Sequence, residues 1–413
     1  MTRRTFVVVG AGLAGARAAQ TLREEGFDGR IVLIGDDSER PYERPPLSKG
    51  YLQGAEPREK AYVHAPDYYA EHDIELRTGV TASGLDAADR SVLLSTGERL
   101  RADAILLATG AEPRRLTGAP GGSLPGIHVL RTMADSDALR AALDGAGRLV
   151  VVGAGWIGSE VAASARALGV EVTIVEPLSV PLERVLGTDA GAVFRDLHRD
   201  HGVDLRLGSG VEAFEGAGRV ERVRLAGGET VDADVVVLGV GVAPRTRLAE
   251  GLLEVSDGIV CDAALRTSVE GVFAAGDVAR AFHPRLGAHL RVEHWANALN
   301  QGPAAARSML GRPVSYDRVP YFFSDQYDVG MEYSGHAVGW DRVVFRGDPA
   351  TREFIAFWLK DDRVLAGMNV NVWDVTEPIQ ALVRAGRPVD VRALADPDVP
   401  LETLVPAGAQ APA

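Results

Sequence analysis

Two short stretches of this sequence carry glycines at spacings that let backbone approach an anion closely. Gly10-Ala11-Gly12-Leu13-Ala14-Gly15 and Gly153-Ala154-Gly155-Trp156-Ile157-Gly158 both read G-x-G-x-x-G. In such a turn the first glycine permits the tight bend. The second admits a pyrophosphate, and the third lets a following helix pack on its strand. A helix that starts there offers free N–H groups and the positive end of its dipole. The expected ligand of each turn is a dinucleotide. Glu176 lies 23 residues after Gly153, where a carboxylate accepts a hydrogen bond from a ribose 2′-OH. It would repel a 2′-phosphate, and Pro177 and Leu178 follow it rather than an arginine, so NAD(H) is favoured over NADP(H). In the first unit Asp36 and Asp37 hold a slightly displaced version of that place. Either could hold the ribose, and Asp37 is preferred.

The turns need elements to hold them, and the flanking sequence supplies these. The run Phe6–Val9 predicts a strand, residues 16–25 a helix and Ile31–Ile34 a second strand. The pattern returns 143 residues later with a strand at Leu149–Val152, a helix from Ser159 to Leu168 and a strand at Val172–Val175. A lone glycine motif is weak, but each copy here has the strand before it and the helix after it that the chemistry requires. Three further apolar strands end in glycine: Ala104-Ile105-Leu106-Leu107-Ala108-Thr109-Gly110, Val235-Val236-Val237-Leu238-Gly239-Val240-Gly241 and Gly271-Val272-Phe273-Ala274-Ala275-Gly276-Asp277. From about Tyr321 aromatics become dense and alternating runs predict an antiparallel sheet.

Composition narrows the function. The chain has 413 residues, 24% of them charged, with a net charge of −13. That balance disfavours a general nucleic-acid or membrane-surface role. No apolar run approaches the roughly 18 residues of a membrane span. The N-terminal apolar run ends in a turn rather than a cleavage site, so a cytoplasmic location is expected. The single cysteine, Cys261, cannot form an intrachain disulfide. The nine histidines show no metal-ligand spacing, and no metal is expected.

At this point the residues resemble the two-dinucleotide flavoprotein reductases of the glutathione-reductase-like superfamily. The marks are the two turns, Ala108-Thr109-Gly110 and Phe273-Ala274-Ala275-Gly276-Asp277. Arg40-Pro41-Tyr42-Glu43-Arg44-Pro45-Pro46-Leu47-Ser48-Lys49 narrows the resemblance. So do Glu293-His294-Trp295-Ala296-Asn297-Ala298-Leu299-Asn300-Gln301-Gly302 and Ser324-Asp325-Gln326. All three are similar to the ferredoxin reductases of bacterial cytochrome P450 and aromatic-ring dioxygenase systems. Disulfide reductases of the superfamily carry redox cysteines where Leu47, Ser48 and Lys49 stand here.

The resemblance implies a tightly bound FAD on the first turn and NADH on the second. NADH would deliver hydride to the flavin, which would pass single electrons to a [2Fe–2S] ferredoxin. That ferredoxin would serve a cytochrome P450 or a Rieske-type oxygenase. Lys49 looks like the family lysine near the flavin, and Glu160 its carboxylate partner, which positions the nicotinamide. Burial would be costly for either alone, so pairing is sensible. Surface lysine and first-turn helix acid are the plain alternatives. Arg44, Arg131 and Val80 are further FAD candidates, the arginines being otherwise surface groups, and Asp277 would hold the ribityl chain. Glu293, His294 and Trp295 would open a helix facing the flavin, or Trp295 is core. Phe323 stands where relatives often carry tryptophan, and it either stacks on the flavin or belongs to the sheet core.

The expected architecture is α/β, with two Rossmann-like dinucleotide-binding domains and a small α+β C-terminal domain. Residues 1–112 and 243–320 would bind FAD, 113–242 NADH, and 321–400 would form the C-terminal domain, with 401–413 a flexible tail. Rubredoxin reductase, NADH oxidase and a redox-responsive binding protein resembling apoptosis-inducing factor are the alternatives.

Overall fold

The computed structural model describes residues 3–405. It divides into two compact units: residues 1–44, 58–112 and 242–320, and residues 45–57, 113–241 and 321–413.

The first unit is built on a five-stranded parallel sheet. Its order is Val272–Ala274, Ala104–Leu107, Thr5–Val9, Arg30–Ile34 and Ile74–Arg77. The central strands are continuous apolar runs because both faces are covered, as in doubly wound sheets. Val7, Val8, Ile105 and Leu106 are all fully buried. The helix Leu13–Glu24 starts directly from the first glycine turn. It packs closely on the helix Trp295–Met309, where a Cβ on Gly302 would lie 2.3 Å from the Ala14 carbonyl oxygen. A separate three-stranded antiparallel meander is formed by Ala82–Asp86, Ser91–Leu94 and Arg99–Arg101.

The second unit repeats the scheme. Its parallel sheet runs Asp204–Leu207, Glu171–Glu176, Arg148–Val152, Val235–Leu238 and Ile127–His128. The helix Trp156–Ala167 leaves the second glycine turn. An antiparallel sheet follows in the order Tyr321–Gln326, Val329–Gly335, Arg363–Val370, Glu353–Lys360 and Arg342–Asp348. This sheet shares one apolar core with the helix Glu183–Asp200, in which Leu186, Phe194 and Leu197 meet Phe322, Met331 and Trp358. The Trp358 indole N–H donates to the Leu186 carbonyl at 3.0 Å.

The units depart from the expected divisions in three places. Residues 113–241 and the C-terminal region from Tyr321 group in one compact unit, through the core they share. Residues 45–57 group with the second unit. Polar contacts hold them there: Ser136 Oγ donates to the Leu47 carbonyl at 2.9 Å, Ser164 Oγ to the Ser48 carbonyl at 2.7 Å, and the Tyr51 hydroxyl to Asp137 at 2.6 Å. The expected tail begins with a helical turn, Leu401–Leu404, whose Leu401 is buried; residues 406–413 lie outside the described residues.

His198, on the helix Glu183–Asp200, is wholly buried at 0% exposure. Burial pushes its imidazole down to about 4, against a partial upward pull from Gln326. The unfolded chain protonates this residue near the ordinary value of about 6.5. Between those values the unfolded state binds more protons, so stability falls as pH drops from about 6.5 toward about 4. His198→Gln should flatten that part of the curve of denaturant midpoint against pH, whereas an unchanged slope would contradict the assignment.

Candidate active site

The first glycine turn is a cradle shaped by backbone contact. Gly10 has φ +116°, and a Cβ there would lie 2.1 Å from the Ala108 carbonyl oxygen. A Cβ on Gly15 would lie 2.0 Å from the Gly10 oxygen. The Gly10 N–H donates to the Ile34 carbonyl at 2.7 Å, which closes the turn onto the second strand. The helix's first internal hydrogen bond runs from Ala16 to Gly12 at 2.9 Å. The amides from Gly12 to Gly15 therefore have no partner inside the helix. Leu13 and Ala14 pack their side chains into the core.

Gly10, Ala11 and Gly12 of this turn border a cavity of about 480 Å³. Gly10, Gly12, Asp36, Asp37, Arg44, Val80, Ala108, Thr109 and Gly110 line it, so nine expected residues share one space. Arg44 Nη1 sits 3.3 Å from the point a Gly12 Cβ would take. A guanidinium and unpaired helix amides suit a pyrophosphate, and two carboxylates suit a ribose, so the residues fit a dinucleotide.

Asp36 and Asp37 are held differently. Asp37 accepts from the Tyr42 hydroxyl at 2.7 Å and from the Glu39 N–H at 3.1 Å. Asp36 pairs with Arg245 at 2.5 Å. Burial pushes the Asp36 carboxyl up, but the Arg245 hydrogen bond and charge outweigh it and hold the group below its ordinary value.

Elsewhere in this unit, Gly276 has φ +78° and donates its N–H to Gln301 Oε1 at 2.8 Å. Asp277 follows it and is buried. The late helix starts at Trp295 with His294 as its N-cap, two residues beyond Glu293. Glu293, the residue before that N-cap, is ion-paired with Arg291. Trp295 is half-buried, not a core residue. Arg131 belongs to the other unit, where its N–H donates to Asp135 at 3.1 Å beside the capping box of the helix Met133–Leu143.

The second turn repeats the first. Gly153 has φ +96° and a Cβ there would lie 2.6 Å from the Gly239 oxygen. A Cβ on Gly158 would lie 2.1 Å from the Gly153 oxygen. The Gly153 N–H donates to Val175 at 2.8 Å, and the first helical bond runs from Ser159 to Gly155 at 2.9 Å. Glu176 is buried and bends back over the turn: Oε2 accepts from the Ala154 N–H at 2.7 Å and Oε1 from the Leu178 N–H at 3.1 Å. A carboxylate has about four lone-pair sites, so acceptor capacity remains for a ribose. Gly241, with φ +92°, follows the strand Val235–Leu238, and its carbonyl accepts from the Arg114 N–H. Ile157 is exposed. The Trp156 ring packs edge-on to Phe194 and Phe322, with centroids 5.9 and 4.8 Å away.

Five residues along the helix Trp156–Ala167 stands Glu160, 4% exposed. Lys49 Nζ lies 2.7 Å from its Oε2, with 17% of the lysine side chain exposed. Ser48 Oγ donates to the same oxygen at 2.5 Å, and Ser324 Oγ donates to Oε1 at 2.7 Å. The expected pair exists, and two serines that sequence reasoning did not assign complete it. Phe323 is half-buried, with Lys49 Nζ 5.6 Å from its ring centroid, while its neighbour Phe322 supplies the sheet core. Burial raises the Asp325 carboxyl above its ordinary value and Glu160 adds to the effect, partly offset by Lys49. Cys261 is buried, and burial pushes its thiol up to about 12.

Two dinucleotide cradles in one chain, one of them backed by a buried lysine–glutamate pair, define a pyridine-nucleotide oxidoreductase. The chain belongs to the pyridine nucleotide-disulphide oxidoreductase family, whose profile matches residues 4–302; residues 321–405 match the reductase C-terminal family. It is 40% identical to the 5,5′-dehydrodivanillate O-demethylase ferredoxin reductase subunit of a Sphingobium species, over 97% of this chain and 98% of that protein. It is 38% identical to the anthranilate 1,2-dioxygenase system ferredoxin–NAD(+) reductase component of Burkholderia cepacia, over 98% of this chain and all of that one. Among solved structures, the covalent putidaredoxin reductase–putidaredoxin complex matches with a TM-score of 0.94 and 36% identity, covering 98% of this chain and 99% of that one. No helix among the described residues is long and apolar enough to cross a membrane.

The cradles are separable by substitution. Gly10→Ala should abolish nucleotide binding at the first turn and spare the second, and Gly153→Ala should do the reverse. Nucleotide released on denaturation and equilibrium titration with nicotinamide would check this. Full occupancy of both sites in either variant would contradict the cradle geometry.

Proposed function

We propose that this chain is an NADH-dependent ferredoxin reductase. It carries FAD on the first cradle, takes electrons from NADH on the second, and delivers them singly to a [2Fe–2S] ferredoxin. That ferredoxin feeds a cytochrome P450 or a Rieske-type oxygenase. As a consumer of NADH, the chain is assigned to the cytoplasm. The observation that carries the reading is the repeated cradle with the buried Lys49–Glu160 pair on the helix of the second.

FAD, when bound, would supply the redox chemistry that links a two-electron donor to a one-electron acceptor. The chain's own residues bind and orient. Arg44 and the Gly12–Gly15 amides are assigned to the FAD pyrophosphate, and Asp37 to its ribose, since Asp36 is already committed to Arg245. The amides of the second turn are assigned to the NADH pyrophosphate and Glu176 to its adenosine ribose. Glu160 lies just over one helical turn beyond that pyrophosphate site. It keeps Lys49 fixed, and together they are the polar groups placed to orient the nicotinamide. Phe323 is assigned as the aromatic face over Lys49.

The disulphide half of the family's name has no residues here. One cysteine cannot form an intrachain disulfide, and burial pushes its thiol up to about 12, away from the thiolate that dithiol chemistry needs. This disfavours the NADH oxidase and peroxide-reductase readings, which use a redox cysteine. A redox-responsive binding role would show as a long-lived reduced flavin with negligible turnover.

Stopped-flow reduction by NADH, followed by steady-state turnover with a purified [2Fe–2S] ferredoxin, tests the reading. Fast reduction with ferredoxin-dependent turnover is expected. Reduction without electron delivery to any such ferredoxin would overturn it. Replacing Glu176 by alanine should narrow the NADH-over-NADPH preference about ten- to a hundredfold, the worth of one charge-assisted hydrogen bond. Unchanged discrimination would remove Glu176 from the ribose site.

A further inference from the structure

We propose that His198 and Gln326 are positioning residues for Glu160, acting through a one-way file of hydrogen-bond donors from Tyr327 through His198, Gln326 and Ser324 to the Glu160 carboxylate. This deepens the reading above, and rests on it, since the file matters for turnover only if Glu160 handles the nicotinamide.

The direction of the file follows from what each group can do. Glu160 as a carboxylate only accepts, so the Ser324 hydroxyl spends its single hydrogen on Oε1 at 2.7 Å. The Gln326 Nε2, 3.3 Å from Ser324 Oγ, is then the donor to that oxygen. This turns Gln326 Oε1 the other way, where it is buried and has no hydrogen-bond partner. His198 lies within hydrogen-bonding influence of Gln326. Its Nε2 is also buried and also without a partner. Its Nδ1 sits 3.1 Å from the Tyr327 hydroxyl.

A neutral imidazole has one donor nitrogen and one acceptor. If Tyr327 donates to Nδ1, Nε2 carries the hydrogen, which is the donor that Gln326 Oε1 lacks. Buried polar atoms are rarely left unmatched, and here two neighbouring orphans are the halves of one bond. Every dipole in the file then points its positive end at Glu160, so each bond strengthens the next. Burial keeps His198 neutral near pH 7, as this tautomer requires, its value being about 4.

The file has a structural basis. Phe322, Ser324 and Gln326 are alternate residues of the strand Tyr321–Gln326 and share its buried face. Lys49 and Asp325 are the charged groups acting on Glu160 from the neighbouring segments. At the far end Tyr327 stacks on His201 with ring centroids 3.7 Å apart, and Asp328 and Arg166 lie beside that pair.

The test is stopped-flow reduction of the FAD-loaded enzyme by NADH across pH about 5 to 8, read as limiting rate and as NADH affinity. His198→Leu and Gln326→Leu cut the file. His198→Gln keeps it, because an amide offers an acceptor at one atom and a donor at the other. Both leucine variants should move the acid limb of the rate profile up by about one pH unit, while His198→Gln stays close to the parent. Ser324→Ala cuts the file beside Glu160 with little loss of bulk, and it should shift the limb in the same direction even if the leucine variants unfold. A parental pH profile in Ser324→Ala, or in folded His198→Leu and Gln326→Leu, overturns the proposal while leaving the function intact. A parental rate and profile in Glu160→Gln overturns the role of Glu160 itself, and this inference with it.

Discussion

A carboxylate and an ammonium cannot stay buried unless each satisfies the other. The Glu160–Lys49 pair is the constraint around which the second unit is arranged. Removing water from either ion costs several kcal/mol, and the attraction repays this only when the remaining lone pairs and protons are also matched. The structure meets that condition from three separate segments. Ser48 and Lys49 come from the short helical stretch around residues 45–53, Glu160 from the helix of the second cradle, and Ser324 from the first strand of the antiparallel sheet. A charge held this firmly beside the cradle helix is pre-organised, which is how a protein that leaves redox chemistry to cofactors contributes to rate.

The cradles rest on a different limit, the size of a side chain. At Gly10, Gly15, Gly153 and Gly158 a Cβ would come within 2.6 Å of a backbone carbonyl oxygen. The strand, turn and helix can close only if those positions carry hydrogen. Part of the closure is local, Gly10 donating to Ile34 and Gly153 to Val175, and part is not, since Gly10 lies against the Ala108 carbonyl and Gly153 against that of Gly239; both parts repeat in the two units.

That locality explains what the sequence made legible. The glycine spacing, the apolar strands and the helix starts are short-range, and the structure places them within two or three residues of expectation. Lys49, Glu160 and the lining of the first cavity were also reachable, through their place in motifs. What escaped depends on distant partners. Arg245 reaches Asp36 across 209 positions and Ser324 reaches Glu160 across 164. No period or spacing encodes such a contact. The Trp156 ring likewise meets Phe194 and Phe322, partners that the motif around it does not name. The ion pair of Glu293 with Arg291 was also not written in any motif.

The central claim is that Lys49 and Glu160 act as one unit. A double-mutant cycle with Lys49→Met and Glu160→Gln, read in both unfolding free energy and the rate of flavin reduction by NADH, tests it most directly. The account predicts strong coupling, about 1–3 kcal/mol, with the double variant no worse than the more damaged single one. Additive losses in both readouts would show two independent residues and contradict it.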